Sequence, residues 1–271
     1  EMCIRDRFSC VITVAIFSQT CSQEGSMTTT SSGSLDQSSK LVIPDLNGIW
    51  QAVNTASWNL EGHTASKMPV TTVLGALGGI PAGMSVVEGG EIPYLPSALS
   101  QRETNRADWT NLDPVAKCYI PGVPRSTYMP WPFQILQTEA EIFLAYEFGS
   151  NSRTIFMDRP GTEAPIPSWM GYSLGRWEGN TLVVSVTKQM PDTWLDASGK
   201  YHGPNLLVEE RYTLTDENHM QYEATIDDPD VYSRPWKISM PLYRRVEDDA
   251  RLLEYKCCLL YTSDAADERL R

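Results

Sequence analysis

From about residue 132 to residue 256, apolar and polar residues alternate with period two, in short stretches bounded by Gly, Pro, Asn or Asp. Successive side chains of an extended chain point to opposite faces, so the pattern requires a sheet with one buried face. Strands are expected at about 132–138, 141–148, 152–158, 171–177, 181–187, 206–214, 220–227, 235–246 and 252–256, after a first strand at Gly48-Ile49-Trp50-Gln51-Ala52-Val53. Residues 54–130 are irregular and rich in Gly and Pro, with one helix expected from Ser97 to Trp109 and a turn at Asp113-Pro114. Sequential short strands without long helices predict a mainly β fold, an antiparallel meander closed into a barrel, with a β-sandwich as the alternative.

Two hairpins can be registered, because a one-residue slip would turn every apolar side chain to the wrong face. Gly179-Asn180 suits a two-residue turn and sets Trp177 opposite Leu182. Setting Leu214 opposite Met220 places Tyr212 against Tyr222 and Val208 against Ile226. The other face then carries Glu209, Arg211, Glu223 and Thr225, with Arg211 opposite Glu223. If that face meets solvent, these are surface ion pairs. If it lines a lumen, the same groups are desolvated and suited to acid/base work.

Composition removes several partners. The 271 residues hold 22 Lys plus Arg against 34 Asp plus Glu, a formal charge of −12, with no basic block, so nucleic acid is not expected as a partner. With 41% hydrophobic residues the chain is globular rather than disordered, and no apolar run reaches the length of a transmembrane helix.

The two ends read differently from the middle. Met2-Cys3-Ile4-Arg5-Asp6-Arg7 resembles a translated sequencing-library adapter, and Cys258-Leu259-Leu260-Tyr261-Thr262-Ser263 resembles its reverse complement. Residues 1–7 and 258–271 are therefore expected to be adapter translation on a metagenomic fragment. Residues 1–7 sum to zero charge and 258–271 to −1, so the remainder carries −11. Phe8 to Phe17 is a short apolar run matching the end of a secretory signal peptide, so residues 8–21 are expected to be a truncated signal segment. Residues 22–40 are a Ser/Thr/Gly-rich linker, and residues 41–257 a single β domain. The expected location is periplasmic or secreted, with Cys21 a candidate lipid anchor and the one route to a membrane. In an oxidising compartment Cys118 and Cys257 can pair, the alternative being two buried thiols.

Candidate chemistry is sparse. Gly171-Tyr172-Ser173-Leu174-Gly175 has the spacing of a hydrolase nucleophile elbow, but it lacks the strand before and the helix after that the elbow needs. His63, His202 and His219 are not spaced as metal ligands, and neither a metal nor a cofactor is expected. His202 lies in the loop Asp196 to Pro204, the kind of segment that carries binding residues. Trp131, Trp169 and Trp194 fall at strand ends or in loops, where they can wall a small-molecule pocket.

Asp45-Leu46-Asn47-Gly48-Ile49-Trp50 resembles the Gly-x-Trp opening of lipocalin-like, or calycin, barrels. That resemblance implies a Trp closing one barrel end under a basic residue from a late strand, here Arg244 or Arg245. A wider resemblance, over about residues 45–257, is to a group of exported bacterial all-β proteins of uncharacterised activity. It is carried by Asp113-Pro114 to Arg125, Ser168-Trp169-Met170-Gly171, Gly175-Arg176-Trp177-Glu178-Gly179-Asn180-Thr181-Leu182-Val183-Val184, Asp227-Asp228-Pro229 to Pro235-Trp236, and Leu252 to Cys257. Relatives look similar to His-Ser at 202–203 and to a second His at 207, where this chain has Gly203 and Leu207. Glu209 and Arg211 match the pattern.

The expected function is binding of a small, partly apolar ligand, neutral or anionic, in a barrel pocket. Arg153, Glu223 and the three tryptophans would line it, with Arg153 or Arg211 meeting an anionic group. The alternative is a cofactor-independent lyase, isomerase or hydrolase that uses His202 and Glu209 as acid and base and Arg211 to hold a carboxylate or oxyanion.

Overall fold

The computed structural model describes residues 43–67, 79–159, 161–162 and 164–255, all within the unit that begins at Leu41. Among these, eleven strands form: β1 Gly48–Ala52, β2 Ser66–Lys67, β3 Gly79–Ile80, β4 Phe133–Gln137, β5 Glu141–Tyr146, β6 Asn151–Met157, β7 Tyr172–Glu178, β8 Thr181–Thr187, β9 Leu207–Leu214, β10 His219–Asp227 and β11 Trp236–Arg244. Nine close into a barrel in the order β1-β11-β10-β9-β8-β7-β6-β5-β4, with β1 also paired to β4, and β2 and β3 form a separate ribbon. Closure removes the exposed edges that an open sheet of this length would carry.

Both hairpin registers hold. Trp177 faces Leu182 across β7 and β8, and Leu214, Tyr212 and Val208 face Met220, Tyr222 and Ile226 across β9 and β10. The inward set buries fully: Val208, Tyr212, Met220, Tyr222, Ala224 and Ile226 are at most 1% exposed. Two expectations fail. The barrel is not wholly antiparallel, because β6 and β7 run parallel, and the long connection after Met157 crosses back to start β7 in the same direction. No ladder forms at Leu252–Tyr255; instead the Leu253 N–H donates to Glu147 and the Tyr255 ring packs on Trp131 and Phe148.

Arg244, rather than Arg245, lies over the Trp50 ring at 4.3 Å, while the Trp50 indole N–H donates to the Leu46 carbonyl. Gly48 makes this possible. Its φ of +135° is hard for other residues, and a Cβ there would run into the Arg244 guanidinium.

The irregular segment wraps one side of the barrel. Helix α1 spans Pro96–Ala107, with Pro96 in its first turn where a missing N–H costs nothing. It ends two residues earlier than expected because Asp108 leaves helical geometry; a short second helix, α2 Trp109–Leu112, then follows. Val87 bridges to Ile238, Tyr94 to Tyr232, and the Asn105 side chain donates to the Gly199 carbonyl, which docks the wrap on the barrel and on the loop between β8 and β9.

Candidate functional site

The barrel lumen holds a charged network that the hairpin register makes unavoidable. On β9, Val208, Glu210 and Tyr212 share the inward face, so Glu210 is carried into the core and is fully buried. Arg153 enters from β6 on the same alternation as Ile155 and Met157. Its Nη1 lies 2.7 Å from Glu210 Oε2 and its Nη2 donates to Oε1 at 3.1 Å. Oε1 also accepts from the Tyr212 and Tyr222 hydroxyls at 2.9 and 2.8 Å. Arg153 donates onward to the hydroxyls of Tyr146, Tyr212 and Ser173. Burial alone would lower the Arg153 pKa, but the Glu210 charge outweighs it and holds the guanidinium protonated. Burial also raises Tyr146, Tyr212 and Tyr222, so the three hydroxyls stay neutral, Tyr212 and Tyr222 donating to Glu210 and Tyr146 accepting from Arg153. A buried ion pair is tolerated when hydrogen bonds of this kind satisfy most of its remaining valences; Glu210 Oε2 meets Arg153 Nη1 and has no further hydrogen-bond partner among the described residues. Arg153 therefore lies in the lumen, where it is engaged by protein groups. Ser173 is a buried strand residue in this network, not a nucleophile elbow.

The His202, Glu209 and Arg211 grouping does not form. Glu209 and Arg211 alternate with Glu210 and so face outward, their side chains 41% and 30% exposed. Arg211 pairs with Glu178 at 2.9 Å, although Glu223 is its cross-strand neighbour, and Arg176 bridges Glu178 and Glu209. Glu223 lies on the same outer face beside Lys237. His202 is buried in the β8–β9 loop. Its Nδ1 faces the Gly203 carbonyl at 2.8 Å, which can only accept, so Nδ1 carries the proton and Nε2 accepts from the Thr193 hydroxyl at 2.7 Å. Burial lowers its pKa, and the ring is a neutral link in the loop. His202 bonds within its loop while Glu209 and Arg211 pair across the outer wall, and no hydrogen bond or ion pair among the described residues joins them.

Cys118 is disulfide-bonded. Cys257, the expected partner, and Cys21 lie outside the described residues. Among the described residues no three His, Cys, Asp or Glu side chains gather where a metal could sit, and no helix is long and apolar enough to cross a membrane.

The expected aromatic walls divide between two places, both outside the lumen. Trp169 and Trp194 line a groove of about 690 Å³ with Tyr119 and Tyr201. Trp169 stacks on Tyr119 at 5.0 Å and 15°. Several polar groups here are already engaged: the Tyr201 hydroxyl donates to the Ala98 carbonyl, and Asn105 bonds Gln101 and Gly199.

Trp131 borders a pocket of about 150 Å³ with Trp58, Trp109, Phe148 and Tyr255. Its polar end is the buried Arg125–Asp113 pair, a bidentate contact with both bonds at 2.8 Å. Trp58 and Trp109, edge to face at 6.2 Å, also line a cleft of about 950 Å³ that includes Glu61, His63, Arg102 and Arg106. Beneath this cleft Asp196 folds the loop: its Oδ1 accepts from the Ser198 and Lys200 backbone, and its Oδ2 from the Leu60 N–H of the wrap. The cleft thus lies where wrap and barrel loop are stitched together. Its residues escaped the sequence reading because Trp58, Trp109 and Arg102 meet only through tertiary contacts. The i,i+4 spacing of Arg102 and Arg106, which puts both on one helix face, was the legible signal.

Comparison with protein-family models, with curated proteins and with solved structures finds no match to this chain.

Proposed function

We propose that this protein binds a small, partly apolar ligand at the side of the barrel covered by the wrap, in the cleft whose wall is Trp58 and Trp109, rather than in the lumen. One observation carries the reading: the same two indoles face a wide polar cleft on one side and an aromatic pocket on the other. Apolar walls with a few placed polar groups are the usual make-up of a small-molecule site. The lumen is the weaker location, since its polar groups bond one another.

A thermal-shift screen of small-molecule pools tests this, followed by titration of each stabilising compound into Trp109→Ala and Trp169→Ala. Binding lost with Trp109→Ala and kept with Trp169→Ala supports the cleft. The opposite pattern would move the site to the Tyr119–Trp169 groove.

Export to an oxidising compartment belongs to the same proposal. It rests on the apolar run from Phe8 to Phe17 and on the disulfide at Cys118. Fractionation of cells expressing the full chain, read by thiol labelling with and without reductant, checks it; a reduced, cytosolic protein would count against export.

A further inference from the structure

The cleft's charges are not equally occupied, and that difference indicates a ligand class; the inference rests on the cleft being the ligand site. Lys200, fully buried beneath it, is neutralised inside the fold. Its Nζ lies 3.1 Å from Asp196 and 3.2 Å from Glu61, and donates to Asn59 and Ser198. The two arginines above it are not so held. Arg102 stands 3.6 Å from Glu61 and 3.8 Å from Glu103, and Arg106 stands 3.8 Å from Glu103. These are ion pairs without hydrogen-bond contact, and Glu61 is already shared with Lys200. The Nε of Arg102 and the Nε2 of His63 are buried without a hydrogen-bond partner among the described residues. A planar guanidinium with its donors unused is suited to bidentate recognition of a carboxylate or phosphate.

The other half of the site is apolar. The pocket beyond Trp58 and Trp109 measures about 150 Å³, and a dry engineered cavity of about that size holds one benzene. At its inner end the Arg125 charge is neutralised, because both Nη atoms are bonded to Asp113 at 2.8 Å and only its Nε lacks a partner among the described residues. An anionic group therefore belongs at the outer, arginine end. Gly83 packs closely behind His63 of that end: a Cβ there would strike the Thr55 side chain and the His63 ring.

We propose that the ligand is an oxyanion bearing a single ring, a carboxylate or a phosphate monoester, with its anionic group on Arg102 and Arg106 and its ring against Trp58 and Trp109.

Isothermal titration of the full chain with phenyl phosphate, 3-phenylpropionate, inorganic phosphate and benzyl alcohol tests this. At least one ring anion binds about tenfold or more tightly than both inorganic phosphate and benzyl alcohol, and the better of the two identifies the head group. The Arg102→Gln/Arg106→Gln pair weakens that binding about tenfold or more. Arg106 is 62% exposed, whereas Arg102 is 23% exposed and lies over the Tyr94 ring at 5.4 Å, so the pair is expected to lower the melting temperature somewhat through Arg102. Should the variant melt early, the salt dependence of the parent decides: affinity must fall as salt rises, and salt-insensitive binding overturns the proposal. Benzyl alcohol binding as tightly as the anions overturns the ligand class but leaves the cleft as a binding site. Inorganic phosphate binding as tightly as phenyl phosphate reduces the site to an ion patch, which also overturns it. No saturation by any of the four at millimolar ligand overturns it as well, while a neutral, Trp109-dependent ligand from the pools would still sustain the broader reading.

Discussion

Three consecutive residues of β9 place nearly the same chemistry in two different solvents. Glu209 and Arg211 look outward into a chain of half-exposed ion pairs with Arg176 and Glu178, while Glu210 between them is buried against Arg153 and two tyrosines. In water a carboxylate–guanidinium contact contributes a few tenths of a kcal/mol, because solvent screens it and the side chains lose freedom. In the lumen the charges cannot be released singly, since a lone buried ion has no water to return to. The outer row is thus adjustable surface, and the inner pair is a fixed part of the core.

The largest expected break in this contrast comes from Arg153→Met, which leaves Glu210 buried without its counter-ion. It should lower stability by about 3–5 kcal/mol in urea unfolding, and adding Glu210→Leu should restore most of the loss. A double variant no more stable than the single would show that the pair itself, rather than the stranded charge, holds the barrel. Tyr222→Phe removes one donor to the same carboxylate and should cost about 1.5–3 kcal/mol in the same assay.

His202 sharpens the contrast through pH. Its folded-state pKa is held below the ordinary value by burial. Between the two pKa values the unfolded chain binds the extra proton, so stability is fully present above about pH 6.5 and is lost as pH falls through the lower folded value. Urea midpoints measured from pH 7.5 down to pH 5 should fall less steeply in His202→Gln than in the parent. Parallel slopes would mean that the ring carries no such linkage. The smallest effect belongs to the outer face: Arg211→Gln should change stability by no more than about 0.5 kcal/mol, and by less still in high salt.

Much of the barrel was legible in the sequence. Period-two alternation located its strands, and the two hairpin registers followed from matching apolar faces. Glu210 was equally readable, since the register that buries Val208 and Tyr212 carries it inward with them. The polar face was easier to notice than a single carboxylate on the apolar one. The parallel β6–β7 pair was not readable, because alternation is the same for either direction of pairing. Neither was the cleft: Trp58, Trp109 and Arg102 line one cleft only when the wrap folds back on itself, and no local spacing encodes that arrangement.

The most direct test of a filled, structural lumen beside an adjustable exterior is one substitution made at two neighbouring positions. Glu209→Gln and Glu210→Gln differ by a single step along the strand, and equilibrium unfolding in urea reads both. The account predicts a change within about 0.5 kcal/mol for Glu209→Gln and a loss of about 3 kcal/mol or more for Glu210→Gln. Equal losses at the two positions would contradict it.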